Sequence, residues 1–213
     1  TLLSLWAWLM IGVVVIVWVP LTFIVFVFTA PFDKGRYRAG WMFRRLCVVH
    51  TWLNPLWSFR TSGLEVKDPR RPYVVVANHE SFADMLLISH LPWEMKWLAK
   101  ETWFKFPLVG WLMVMAGDIK IIRGNKQSSV MLFPEGTRTR DGEMGEFKDG
   151  AFRLAIETGC PILPLVVNGT REAIRPGDWR WNVTNAEVRV LQPIETTGLT
   201  KDSVGELRDR VRT

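Results

Sequence analysis

Cysteine is nearly missing from this chain: of its 213 residues only Cys47 and Cys160 carry a thiol. The two stand far apart and match no metal-ligand or redox spacing, which excludes a disulfide framework, a zinc ribbon and a C-x-x-C redox motif. They read as packed thiols in a reducing compartment. Charge is missing from one place in particular, since no Asp, Glu, Lys or Arg occurs between Thr1 and Phe32. Such a stretch has no charged face to keep it in water. A G-x-S-x-G elbow is lacking too, and with it the usual signature of a serine hydrolase. No nucleic-acid motif accompanies the basic residues, so nucleic acid is not an expected partner.

What is present points to a membrane. The formal net charge is +6, all of it after Phe32, and ten of the twelve Trp lie at or before Trp111. Tryptophan prefers the boundary between lipid and water. A basic, Trp-rich chain suits an anionic lipid surface or an acidic substrate.

Leu2–Phe28 is long enough to cross a bilayer as a helix, for which about 20 residues suffice, and too long for the apolar core of a signal peptide. Pro20 is expected to kink or break it, which leaves a re-entrant hairpin as the alternative. Arg36–Arg60 interleaves Arg with Trp41, Phe43, Leu46, Val49, Trp52, Leu53, Leu56 and Trp57. This spacing predicts an amphipathic helix in the interface, ended near Pro55, with His50 on its polar face. Residues 1–60 therefore read as a membrane-embedded two-helix segment, and residues 61–213 as a separate domain.

From Thr61 the pattern is α/β. Short apolar runs at Val74–Ala77, Asp118–Ile122, Val130–Phe133, Ile162–Val167 and Val188–Leu191 predict strands of a mixed, mostly parallel sheet flanked by helices. Asp84–His90 and Ala151–Thr158 read as two of those helices, the second closed by Gly159 and Pro161. His90 falls at a helix end, where it can bond carbonyls. Trp93–Gly117 sets Lys96, Lys100 and Lys105 among six aromatics and reads as a membrane-facing segment that delivers a lysine to an anionic headgroup. Only about six residues separate the strand ending near Ile122 from the one starting near Ser129, whereas parallel neighbours need ~10–12. Either the two pair as an antiparallel hairpin or residues are absent between Arg123 and Ser129; the lack of a hairpin turn favours the absence.

Two stretches carry chemistry. Asn78–Asp84 follows the strand ending at Ala77, and Ser81 with Asp84 has the spacing of a capping box, with Ser81 as N-cap. His79 then lies in the turn before the helix and folds back toward Asp84. A neutral imidazole is a good general base near pH 7, and a carboxylate on its second nitrogen fixes the tautomer. Phe133–Arg138 follows another strand: Pro134 ends it, Gly136 permits close backbone approach to a ligand, Glu135 can accept from a polyol, and Arg138 offers a planar fork suited to phosphate. Arg123 adds a second cation near the same edge, where α/β sheets place ligands.

These blocks resemble the glycerolipid acyltransferase family: N-H-x-x-x-x-D at Asn78–Asp84, an Arg after a strand at Arg123, F-P-E-G-T-R at Phe133–Arg138, and an apolar Pro-containing strand at Pro161–Leu165, in the family's order. The resemblance implies transfer of an acyl chain from a thioester to the free sn-2 hydroxyl of 1-acylglycerol-3-phosphate. His79 would be the base, Asp84 its orienting partner, and Arg123, Glu135, Gly136, Thr137 and Arg138 the glycerol-phosphate site, with Lys100 a further phosphate-side candidate. It implies acyl-CoA or acyl-carrier protein as co-substrate, no metal or other cofactor, and residues 61–213 as the acyltransferase domain. The expected location is a bacterial inner membrane with the active site facing the cytoplasm. The family's usual helix between the Arg123 and Phe133 blocks is missing here. The competing readings are an acyltransferase for another lysolipid such as lyso-ornithine lipid, a hydrolase acting through Ser81, and a non-catalytic lipid-binding membrane protein.

Overall fold

The computed structural model describes residues 1–68, 70–120, 129–139, 142–175 and 177–212. In chain order its elements are α1 (Leu2–Thr29), α2 (Tyr37–Leu53), β1 (Trp57–Gly63), β2 (Val74–Ala77), α3 (Ala83–Ile88), β3 (Lys96–Ala99), α4 (Glu101–Phe104), α5 (Val109–Ala116), β4 (Ile119–Lys120), β5 (Val130–Leu132), α6 (Gly150–Thr158), β6 (Ile162–Asn168), β7 (Thr184–Val190) and α7 (Val204–Arg212).

The strands form one seven-stranded sheet in the order β1-β7-β6-β2-β5-β3-β4. Strands β6, β2, β5, β3 and β4 run the same way; β7 is antiparallel to β6, and β1 is parallel to β7. The sheet is thus mixed and mostly parallel, as the pattern of apolar runs predicts. Central β2 is Val-Val-Val-Ala and buried at every position. Its side chains alternate between two cores, as the strand period of two requires. Val75 and Ala77 join Leu87, Ile88, Trp93 and Met131 on one face, while Val74 and Val76 join Phe152, Ala155, Ile162 and Leu207 on the other. By contrast β7 alternates buried and exposed residues along its whole length, with only one face covered.

Helix α1 has its polarity reversed relative to a soluble amphipathic helix. Ser4, Ala7, Val14, Thr22 and Thr29 are its buried residues, while Leu2, Leu9, Ile16, Phe23, Ile24 and Phe28 stand exposed. Small residues at the packing face and large apolar ones outside are the pattern of a helix solvated by lipid. At 1.5 Å per residue α1 is about 42 Å long, more than the ~30 Å of a bilayer's hydrocarbon. It packs against α2 and α5, and three of its indoles donate to backbone carbonyls: Trp6 to Leu53 (2.9 Å), Trp8 to Trp179 (2.8 Å) and Trp18 to Met42 (2.8 Å).

Several expectations are corrected here. Pro20 lies inside one continuous helix, so α1 is neither broken nor re-entrant. The amphipathic helix ends at Leu53, just before Pro55 as expected, but the residues after it form the edge strand β1 (Trp57–Gly63); residue 60 therefore falls within the sheet rather than in the helical segment. His50 is fully buried, not on a polar face. Within Trp93–Gly117, Trp93, Lys96 and Trp97 lie in the core, and only Trp103, Phe106, Trp111 and Val114 of the later part expose large apolar surface. An antiparallel hairpin after β4 is ruled out, since β4 and β5 both run parallel to β3, which lies between them. The expected absence of residues between Arg123 and Ser129 lies outside the described residues, as does Arg123.

Burying Lys96 takes a compensating set of partners. Its ammonium donates to Glu94 Oε1 (3.0 Å) and to the carbonyls of Arg36 (3.0 Å) and Ala116 (2.7 Å). Beside it the buried Arg44 guanidinium pairs with Asp118, whose carboxylate also accepts from the Trp97 backbone N–H at 3.0 Å. Gly40 makes the approach possible: a Cβ there would lie 2.1 Å from Glu94 Oε1 and 2.8 Å from Lys96 Nζ. This cluster fastens α2 to the sheet.

Candidate active site

Because β2, β5, β3 and β4 are parallel neighbours, their carboxyl ends share one edge of the sheet. His79 follows β2, Glu135–Arg138 follow β5, and Lys100 follows β3. The topology therefore gathers the residues that the sequence leaves 56 positions apart in the case of His79 and Glu135.

The turn after β2 is built from its own polar side chains. The Asn78 carboxamide donates to Val167 O and accepts from Val167 N, both at 2.8 Å, extending the β2–β6 ladder by one rung. His79 Nδ1 is 2.7 Å from Asp84 Oδ2. That oxygen also accepts the backbone N–H groups of Glu80 (2.8 Å) and Ser81 (3.0 Å). The second of these is one half of the predicted capping box. The other half is altered: Phe82 is the N-cap, and Ser81 Oγ accepts from Ala83 N at 3.4 Å. Asp84 is fully buried and its other oxygen accepts from the Thr170 hydroxyl. With the Nδ1 proton directed at the carboxylate, the neutral ring keeps its lone pair on Nε2, which makes no hydrogen bond among the described residues. The ring lies flat on Phe133, with centroids 3.9 Å apart at 13°, and its side chain is 18% exposed. One face is held, one nitrogen is oriented, and the other nitrogen is free.

The loop after β5 grips both backbone groups of His79. Its N–H donates to Glu135 Oε1 at 2.8 Å, and its carbonyl accepts from Thr139 N at 2.9 Å. Between these anchors Gly136, Thr137 and Arg138 are exposed. The Glu135 carboxylate, expected to meet a polyol, is buried and spans from His79 to Gly145 N (2.9 Å). Gly136 has φ 73°, and a Cβ there would lie 2.6 Å from Lys148 Nζ. Lys148 is exposed and joins no ion pair among the described residues. It was not legible as a site residue, because only the fold of residues 142–149 lays it over Gly136. Thr170 was equally hidden, 86 positions from Asp84.

Burial and the neighbouring Asp84 raise the Glu80 carboxyl above its ordinary value. Ser81 is 1% exposed and its hydroxyl is engaged in the turn, so it offers no accessible nucleophile. Lys100 is exposed at the start of α4. His90 bonds Leu86 O through Nδ1 and Thr51 Oγ1 through Nε2, both at 2.9 Å, which is the helix-end role expected of it. Among the described residues no group of three or more His, Cys, Asp or Glu side chains is placed to hold a metal ion.

Comparison with known proteins places these features in a family. A family model described as Acyltransferase matches residues 58–168. The 1-acyl-sn-glycerol-3-phosphate acyltransferase of Saccharomyces cerevisiae is 33% identical over 176 residues, which are 70% of this chain and 58% of the yeast protein. The enzyme named 1-acyl-sn-glycerol-3-phosphate acyltransferase alpha of Homo sapiens is 33% identical over 199 residues, 84% of this chain and 70% of its own. The chain thus spans little more than half the length of the yeast relative. In fold it is similar to the crystal structure of the 1-acyl-sn-glycerophosphate (LPA) acyltransferase PlsC from Thermotoga maritima, with a TM-score of 0.86 at 24% identity over 99% of this chain and 90% of that one.

Proposed function

Because the chain belongs to the Acyltransferase family, we propose that it transfers an acyl chain from acyl-CoA or acyl-carrier protein to the free sn-2 hydroxyl of 1-acylglycerol-3-phosphate, giving phosphatidic acid. One observation carries the reading: the loop bearing Arg138 holds His79 by both its backbone N–H and its carbonyl, so an anion bound at the loop sets a substrate hydroxyl against the free Nε2. Arg138 and Lys148 hold the phosphate with Lys100 at the end of β3; Arg123, outside the described residues, is assigned to the same role by its place in the family's motif order alone. Glu135 acts as the clamp between His79 and the loop rather than as a polyol acceptor.

In the reaction Nε2 takes the hydroxyl proton as the oxygen attacks the thioester carbonyl. A new C–O bond forms, the C–S bond breaks, and the departing thiolate recovers the proton from the imidazolium. Asp84 stabilises that imidazolium and keeps Nδ1 protonated. Positioning by the cations contributes alongside the base. Helix α1 lies in lipid, with the acyl chains of substrate and product in the adjoining leaflet, and the catalytic edge faces the cytoplasm of a bacterial cell.

The test is an assay with radiolabelled acyl thioester and lysophosphatidic acid. The wild-type chain is expected to form phosphatidic acid. His79→Ala is expected to lose about 10²–10⁴-fold in kcat while retaining lysolipid binding. Turnover near wild type in that variant removes His79 as the base, and transfer to lyso-ornithine lipid in preference to lysophosphatidic acid overturns the acceptor.

A further inference from the structure

We propose that Thr170 completes the His79–Asp84 pair as a positioning residue, its hydroxyl holding the Asp84 carboxylate in place and limiting how strongly that carboxylate stabilises the His79 imidazolium. The kinetic consequence rests on the general-base role of His79 given above; the structural consequence does not.

Asp84 has no exposed surface, so each of its oxygens needs donors from the protein. Oδ2 has three: His79 Nδ1 (2.7 Å), Glu80 N (2.8 Å) and Ser81 N (3.0 Å). Among the described residues Oδ1 has one, the Thr170 hydroxyl. That hydroxyl also lies 3.3 Å from Glu80 Oε2, but it has a single proton, and the contact with Asp84 is the shorter. Thr170 is itself fully buried and is placed by rigid parts. It begins a 3₁₀ turn directly after β6, whose end is fixed to Asn78 by the two 2.8 Å amide bonds. The preceding Gly169 has φ 86° and packs so closely on β7 that a Cβ would lie 2.4 Å from Asn185 O. No other residue type fits that corner without moving Thr170.

Without the Thr170 proton, Oδ1 would be an unpaired carboxylate oxygen in the core. Its charge would then fall on the one partner able to carry more, the imidazolium of His79. The charged neighbours are Glu80 in the same turn, Glu135 on the backbone of His79, and Arg171, whose backbone N–H and charge both act on Glu80. None of them supplies a donor to Oδ1 among the described residues. Thr170 therefore tempers the pull of Asp84 on the imidazolium, and its loss makes His79 a base that is more readily protonated.

The test compares Thr170→Val, which keeps the shape and removes the hydroxyl, with Thr170→Ser, which keeps the hydroxyl. The first readout is the His79 imidazole titration by NMR in micelles, without substrate. Thr170→Val is expected to move it, and Thr170→Ser to leave it in place. The second readout is the pH profile of acyl transfer to lysophosphatidic acid. In Thr170→Val the acid limb is expected to move to higher pH and kcat/KM to fall about tenfold or more, with KM within about twofold of wild type. An unmoved titration and profile in Thr170→Val, or a Thr170→Ser variant that behaves like it, overturns the proposal in favour of methyl packing. If Thr170→Val does not fold, Thr170→Cys keeps the volume with a weaker donor, and an unmoved imidazole there overturns the proposal equally. A wild-type protein with no transfer activity defeats the function proposed above, while the NMR readout still decides the role of Thr170.

Discussion

At the scale of single residues, Gly136 shows how a motif position can serve a neighbour. Its φ of 73° disfavours a side chain, and the space a Cβ would take is filled by the Lys148 ammonium. Gly136→Ala is expected to cost roughly 1–2 kcal/mol through backbone strain, and to raise the KM for lysophosphatidic acid by displacing Lys148. Lys148→Met is expected to raise the same KM severalfold with little change in stability, since the exposed lysine joins no ion pair among the described residues. Urea unfolding and substrate titration of both variants check the pair; an unchanged KM in Lys148→Met removes it from the headgroup site. His50 is the opposite case. It is fully buried between Trp57 and Trp181, and both ring nitrogens lack a partner in the described structure.

At the scale of elements, the joint between α2 and the sheet is a cluster of buried charges around Lys96 and Glu94. Burial pushes the Glu94 carboxyl up to about 7, against the opposing pull of Lys96. The folded protein therefore holds that proton more tightly than the unfolded chain does. The resulting stabilisation is fully present below about pH 4.5 and is lost as pH rises through about 7. Glu94→Gln has no such proton to lose, so its stability relative to wild type is expected to improve between about pH 5 and about pH 8. Urea unfolding in micelles at both pH values measures this. A difference that stays constant with pH would show that Glu94 keeps one charge state throughout.

At the scale of the whole molecule, two features suit a bilayer: an apolar helix about 42 Å long and a net charge of +6. They respond differently to salt. Electrostatic attraction is screened within about 3 Å at 1 M salt, whereas apolar burial is not weakened by it. The protein is expected to stay with vesicles containing anionic lipid through a 1 M salt wash. Release by salt alone would mean that α1 does not enter the hydrocarbon.

The chain's order of residues determined a good deal directly. The uncharged run before Asp33, the Val-rich strand β2 and the alternation of β7 each follow from which side chains water rejects, a local property. The His79–Asp84 pairing was also legible, because a strand, a turn and a helix within seven residues bring the two together without help from the rest of the chain. Strand β1 and strand β3 were not legible. One is polar and lies at the sheet edge, and the other contains Lys96, whose burial only becomes acceptable once Glu94 and the carbonyls of Arg36 and Ala116 surround it. The same holds at the site. That Glu135 clamps His79, that Lys148 covers Gly136 and that Thr170 reaches Asp84 depend on strand order, and strand order is set by which faces bury together across the whole domain rather than by any local run of residues.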